Sequence, residues 1–211
     1  DDNDQINDTT DSCEKGDKNW ISTPVTDYDS DGCRDSSSED TDDDNDAIPD
    51  SFDSCSTGEL NWDSNSTNDY DSDGCKDDTI EDLDDDNDLI NDTYDSCAKG
   101  DLNWQSDTNT DHDSDGCQDS SEDTNDDNDS VLDINDKCVT GSLNWIQNTT
   151  SDYDTDGCLD SGEDLDDDDD TIPDSDDSCQ YGELGWVSTV SSDHDSDGCL
   201  DELEDSDDDN D

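Results

Sequence analysis

The stretch Asp111 to Glu122, DHDSDGCQDSSE, carries carboxylates at alternate positions of a short segment and closes on a glutamate. It follows the loop pattern D-x-[DN]-x-[DN]-G-x5-E, whose alternate side chains converge on one point. Calcium takes roughly six to eight oxygen ligands, so the chemistry open to this segment is coordination of a hard cation by oxygen. Asp111, Asp113 and Asp115 hold positions 1, 3 and 5, and Gly116 permits the sharp turn. Cys117 offers its backbone carbonyl, Asp119 sits at position 9 and Glu122 supplies the bidentate carboxylate of position 12.

The set recurs along the chain. Asp152, Asp154, Asp156, Cys158, Asp160 and Glu163 repeat it, as do Asp193, Asp195, Asp197, Cys199, Asp201 and Glu204. Asp27, Asp29, Asp31, Cys33 and Asp35 match, and so do Asp69, Asp71, Asp73, Cys75 and Asp77, but Glu39 and Glu81 fall one residue late. In those two copies the loop must bulge or the glutamate must serve a neighbouring ion, so coordination should differ between early and late copies.

A second acidic loop follows each first one. It comprises Asp42, Asp44, Asp46, Ile48, Asp50 and Asp53, then Asp84, Asp86, Asp88, Ile90, Asp92 and Asp95. Asn125, Asp127, Asp129, Val131, Asp133 and Asp136 form a third copy, and Asp166, Asp168, Asp170, Ile172, Asp174 and Asp177 a fourth. Asp2, Asp4, Asp8 and Asp11 form a copy that lacks position 1, and Asp207, Asp209 and Asp211 begin another. Gln5, Ala47, Leu89, Ser130 and Thr171 stand where the pattern has glycine, so the turn should not carry over unchanged.

Something must hold these carboxylates in place, and composition rules out an apolar core. Asp and Glu number 73 against 6 Lys and Arg, the formal charge is −67, and only 22% of residues are hydrophobic. That is the balance of a disordered polyanion, repelled by nucleic acid and in need of cations. The chain nevertheless has ten cysteines and five tryptophans. Disulfides and metal ions are the available substitutes for a core.

The cysteines, at 13, 33, 55, 75, 97, 117, 138, 158, 179 and 199, are separated by 20 residues alternating with 21 or 22. A tryptophan (Trp20, Trp62, Trp104, Trp145, Trp186) lies seven residues after the first cysteine of each pair and seven before the next acidic loop. The repeats run approximately 1–41, 42–83, 84–124, 125–165 and 166–206, with 207–211 beginning a sixth. The DDND motif at both ends points to a longer chain or to chains joined head to tail. The constant gap suggests the pairs Cys13–Cys33, Cys55–Cys75, Cys97–Cys117, Cys138–Cys158 and Cys179–Cys199; pairing Cys33 with Cys55, and so on, is the alternative. A metal–thiolate site is the minor reading, since C-x2-C spacing and ligand histidines are absent.

The run DDDNDAIPDSFDSC, residues 42–55, resembles the calcium-loop signature of thrombospondin type 3 repeats, and the likeness covers essentially the whole chain. The resemblance implies a mostly irregular fold with little regular secondary structure, in which calcium ions line the chain axis, often more than one per loop, and disulfides join successive units. This chain differs in placing its second cysteine directly after glycine, in its N-W-x-S spacer, and in a second loop without glycine.

Trp and the preceding Asn (Asn19, Asn61, Asn103, Asn144), with Ile6, Ile48, Ile90, Val131 and Ile172, are expected to form one small cluster per repeat on the disulfide. His112 and His194, replacing Tyr at position 2, should point away from the ion as surface residues. Sequons occur at Asn7, Asn65, Asn91, Asn128 and Asn148, with glycans most accessible at Asn65 and Asn148.

The expectation is therefore an extracellular or cell-surface structural protein: a calcium- and disulfide-stabilised linear array forming an elongated rod or filament segment. About ten or more calcium ions are expected, and since ten would add only about +20, further counterions as well. No nucleophile–base pair, phosphate loop or histidine-bearing open metal site suggests an enzyme, and no apolar run suggests membrane insertion. The alternatives are the stalk of an adhesin or calcium-dependent binding module, and an acidic mineral-nucleating protein.

Overall fold

The computed structural model describes residues 2–208, so the candidate ligands Asp209 and Asp211 lie outside the described residues. Among these the only regular element is a three-residue 3-10 turn, Asp133–Asn135, and the rest is turns, bends and irregular chain. The acidic loops explain this: their carboxylates accept backbone N–H groups locally and compete with helix and sheet ladders.

All five disulfides pair cysteines 20 residues apart, as Cys13–Cys33, Cys55–Cys75, Cys97–Cys117, Cys138–Cys158 and Cys179–Cys199. The alternative Cys33–Cys55 pairing is not formed. Each closure removes chain entropy from the unfolded state equivalent to about 3 kcal/mol. The chain divides into two compact units, Asp1–Ser106 with Asp115–Cys117, and Asp107–Ser114 with Gln118–Asp211. The boundary falls inside the first-type loop of the third repeat: Asp115 and Cys117 belong to one unit, Asp111, Asp113, Asp119 and Glu122 to the other.

The interior inverts the usual composition. Among the described residues, twenty-two aspartates are buried against seven apolar side chains, of which five are the second cysteines and the others Trp20 and Val131. The remaining tryptophans are half-buried, as are Ile6, Ile48, Ile90 and Ile172. The asparagine before each tryptophan has a backbone role: Asn19, Asn61, Asn103 and Asn144 adopt left-handed φ of 58–68°, and Gly185 takes that place, at 82°, in the fifth repeat. Asn and Gly are the residues that enter this region at least cost.

Both loop types share one backbone path, contrary to the expectation that the second would need a different turn. Position 6 is left-handed in every copy, with φ of 86–97° at Gly32, Gly74, Gly116, Gly157 and Gly198 and 80–89° at Gln5, Ala47, Leu89, Ser130 and Thr171. What separates them is space. A Cβ on Gly74 would stand 2.1 Å from Asp53 Oδ1, and one on Gly198 2.1 Å from Asp177 Oδ1, because position 12 of the preceding second-type loop packs onto that glycine. Position 6 of the second-type loop is exposed and can carry a side chain.

Candidate cation sites

Each loop is closed by its own hydrogen bonds before any ion is considered. In nine loops the backbone N–H of position 2 donates to Oδ1 of the position-9 aspartate at 2.8–3.3 Å; Tyr70 to Asp77 and Asp85 to Asp92 are examples. The position-9 N–H donates back to the carbonyl preceding the loop, as Asp77 to Asn68 at 3.0 Å. In all ten loops the N–H of position 7 donates to Oδ1 of the position-5 aspartate at 2.6–3.1 Å, as Ile48 to Asp46 and Cys75 to Asp73.

In the second-type loops this leaves the other carboxylate oxygen buried. Oδ2 of position 5 is buried with no hydrogen-bond partner at Asp4, Asp46, Asp129 and Asp170, and so is Oδ2 of position 12 at Asp11, Asp53, Asp95, Asp136 and Asp177. At position 1, Asp42 Oδ1, Asp84 Oδ1, Asn125 Oδ1 and Asp166 Oδ1 are in the same condition. At position 3, Asp44 Oδ2 accepts the N–H of Gly58 at 2.7 Å, and Asp168 Oδ2 that of Gly182 at 2.8 Å. Carboxylate oxygens lie within 4.8 Å of one another in Asp2–Asp4–Asp11, Asp27–Asp29–Asp31, Asp42–Asp44–Asp46 and Asp69–Asp71–Asp73, with further groups along the chain. These are the sets expected from positions 1, 3, 5 and 12.

Burial and like charge act on these groups together. Burial first, and then neighbouring carboxylates, push Asp53 and Asp95 up to about 7 and Asp46 and Asp170 up to about 6. The position-1 aspartates Asp27, Asp69, Asp152 and Asp193 are 0% exposed. Moving an ionised carboxylate into a low-dielectric interior costs on the order of 20 kcal/mol before compensation. The chain has six basic residues against 73 acidic ones. The ion pairs among described residues bring Lys99 to Asp77 and Asp85, Lys137 to Asp156 and Asp169, and Lys15 to Glu14, so lysine reaches two candidate loop ligands, Asp77 at position 9 and Asp156 at position 5. A hard cation ligated by oxygen fits this donor set.

The glutamates accept the same backbone hydrogen bond in early and late copies. Glu39 and Glu81 accept the N–H of Arg34 and Lys76, five residues back, while Glu122, Glu163 and Glu204 accept those of Gln118, Leu159 and Leu200, four back. The same loop position is bonded in each case. In four repeats the other oxygen accepts an N–H from the segment after the first cysteine, at Asp17, Glu59, Ser142 and Glu183. In the second repeat the extra residue is taken up in the intervening turn, where Asp78 is left-handed at φ 61°.

His112 is also not the free surface group expected. It is half-buried, and its Nε2 lies 3.2 Å from the Gly141 carbonyl, where Tyr28, Tyr70 and Tyr153 donate their hydroxyls to Gly58, Gly100 and Gly182. Position 2 thus ties each repeat to the next. His194 is exposed. Sequence reasoning also missed Asp40, Asp82 and Asp164, each with a buried Oδ2 lacking a hydrogen-bond partner, just before the second-type loop. Their signal was recurrence at one place in every repeat, outside the alternating pattern.

No known protein-family model matches the chain, and no curated protein matches it. The site geometry and disulfides define a disulfide-rich protein with many acidic clusters able to hold metal ions. Five disulfides fit an oxidising compartment. Among the described residues no helix is long and apolar enough to cross a membrane.

Proposed function

We propose that this chain is an extracellular, calcium-binding structural repeat protein, similar to thrombospondin type 3 repeats, in which bound calcium replaces the apolar core. The observation that carries this reading is the recurrence of buried, partnerless carboxylate oxygens at positions 5 and 12 of successive second-type loops. The loop aspartates, the glutamates Glu39, Glu81, Glu122, Glu163 and Glu204, and the position-7 carbonyls would hold the ions. Calcium supplies positive charge at the loop centres; the chain's own N–H groups orient the carboxylates that receive it. Tandem units that contact mainly their neighbours suit a rod, stalk or filament, which could continue head to tail, and the exposed Asn65 and Asn148 suit glycans. The reading includes no catalysis.

Titrating the calcium-free chain with calcium while following hydrodynamic radius tests it. Contraction at the lower calcium concentrations, reversed by chelator, is expected, because neutralising the loops removes their mutual repulsion. A radius unchanged up to millimolar calcium contradicts it, and gradual contraction without a saturable transition favours weak mineral-type association.

A further inference from the structure

Where the two loops of a repeat meet lies a third acidic cluster, of which only the position-9 aspartate of the first-type loop belongs to a loop ligand set. At the first junction, Asp35, Asp40 and Asp43 bring carboxylate oxygens within 4.8 Å of one another. Asp40 is 8% exposed, and its Oδ2, like Asp43 Oδ1, is buried without a hydrogen-bond partner. The same holds for Asp126 Oδ1 at the third junction and Asp167 Oδ1 at the fourth, in side chains 7% and 3% exposed.

The second junction shows what such a cluster accepts. There Lys99 places its Nζ 2.7 Å from Asp77 Oδ2 and 3.3 Å from Asp85 Oδ2, the equivalents of Asp35 and Asp43. Lys99 stands two residues after its repeat's first cysteine, where the corresponding repeats have Thr57, Thr140 and Tyr181. The threonines bring no charge, and neither does the Tyr181 phenol, whose pKa the Asp167 carboxylate pushes up to about 12. An ammonium in one copy of a repeated carboxylate cluster marks the place of a cation in the others.

We propose that the Asp35–Asp40–Asp43 junction and its counterpart around Asp126 are a further class of divalent-cation site, distinct from the loop sites, and that Lys99 replaces the ion at the second junction. Calcium is the cation of choice because the donors are all carboxylate oxygens. The proposal rests on the calcium reading of the loops and shares Asp35 with the first-type loop, while Asp40, Asp43 and Asp126 belong to no loop ligand set.

Counting bound calcium on the intact, disulfide-bonded chain by native mass spectrometry tests it. Lys99→Met should gain about one ion per chain, and Asp43→Asn and Asp126→Asn should each lose about one, with tryptophan fluorescence unchanged. Lys99→Met decides the matter if either aspartate variant fails to fold. An unchanged count in Lys99→Met, or in both folded aspartate variants, overturns the junction sites while leaving the loop sites standing. A wild-type chain that binds no calcium overturns both readings.

Discussion

A buried aspartate does two jobs at once here: one oxygen fixes the backbone and the other faces the loop centre. Asp46 shows the division, with Oδ1 taking the Ile48 N–H at 2.7 Å and Oδ2 buried without a hydrogen bond. Glycine follows from this packing. Gly74 and Leu89 share left-handed φ of 89° and 84°, but a Cβ on Gly74 would meet the Asp53 carboxylate at 2.1 Å, whereas the Leu89 side chain is exposed. Leu89→Gly should therefore relieve left-handed strain of about 1–2 kcal/mol and raise or preserve the unfolding temperature in calcium. Gly74→Ala should lower that temperature and weaken the neighbouring second-type site, because the Asp53 carboxylate must move. Equal effects of the two substitutions in a thermal melt would refute this distinction.

At the scale of the loop, alternation of aspartates was legible from the sequence because a period of two in a tight turn has few other uses. The constant 20-residue gap likewise indicated the disulfides, although only the structure decided between the two pairings. Three features were hidden. The shared backbone path was obscured because Ala47 and Leu89 are poor left-handed residues that the surrounding hydrogen bonds nevertheless hold in place. The glutamate register looked broken because a turn absorbs one residue without altering the bond at its end. The position-2 link was invisible because its acceptor is a backbone carbonyl about 30 residues away, as in Tyr70 to Gly100 at 2.8 Å. Tyr70→Phe removes only that hydroxyl, and should cost about 1 kcal/mol in denaturant unfolding while leaving calcium stoichiometry unchanged.

Across the whole molecule, acidity that would expand a free chain forms the interior, which on the proposed reading requires bound cations. Burial first, and neighbouring carboxylates second, raise Asp43, Asp53, Asp82, Asp95 and Asp126 from 3.8 to about 7. A folded pKa above the unfolded one means that the folded chain holds more protons. In chelator, the stability contributed by these protonated groups is full below about pH 4 and lost as pH rises through about 7. The calcium-free chain should thus melt at a higher temperature at pH 4.5 than at pH 7.5. With calcium the order should reverse, since protons would compete with the proposed ions for the same oxygens and weaken affinity as pH falls below about 7.

The most direct test that ions replace the core is amide hydrogen exchange at pH 7.5, with calcium and after its removal by chelator, the disulfides kept intact. The N–H groups of position 7, such as those of Ile48, Cys75 and Val131, donate to the aspartates at the loop centres. Their protection should be strong in calcium, lost on chelation and restored when calcium returns. Protection that persists unchanged in chelator would show that the disulfides and the few buried apolar groups hold the fold by themselves.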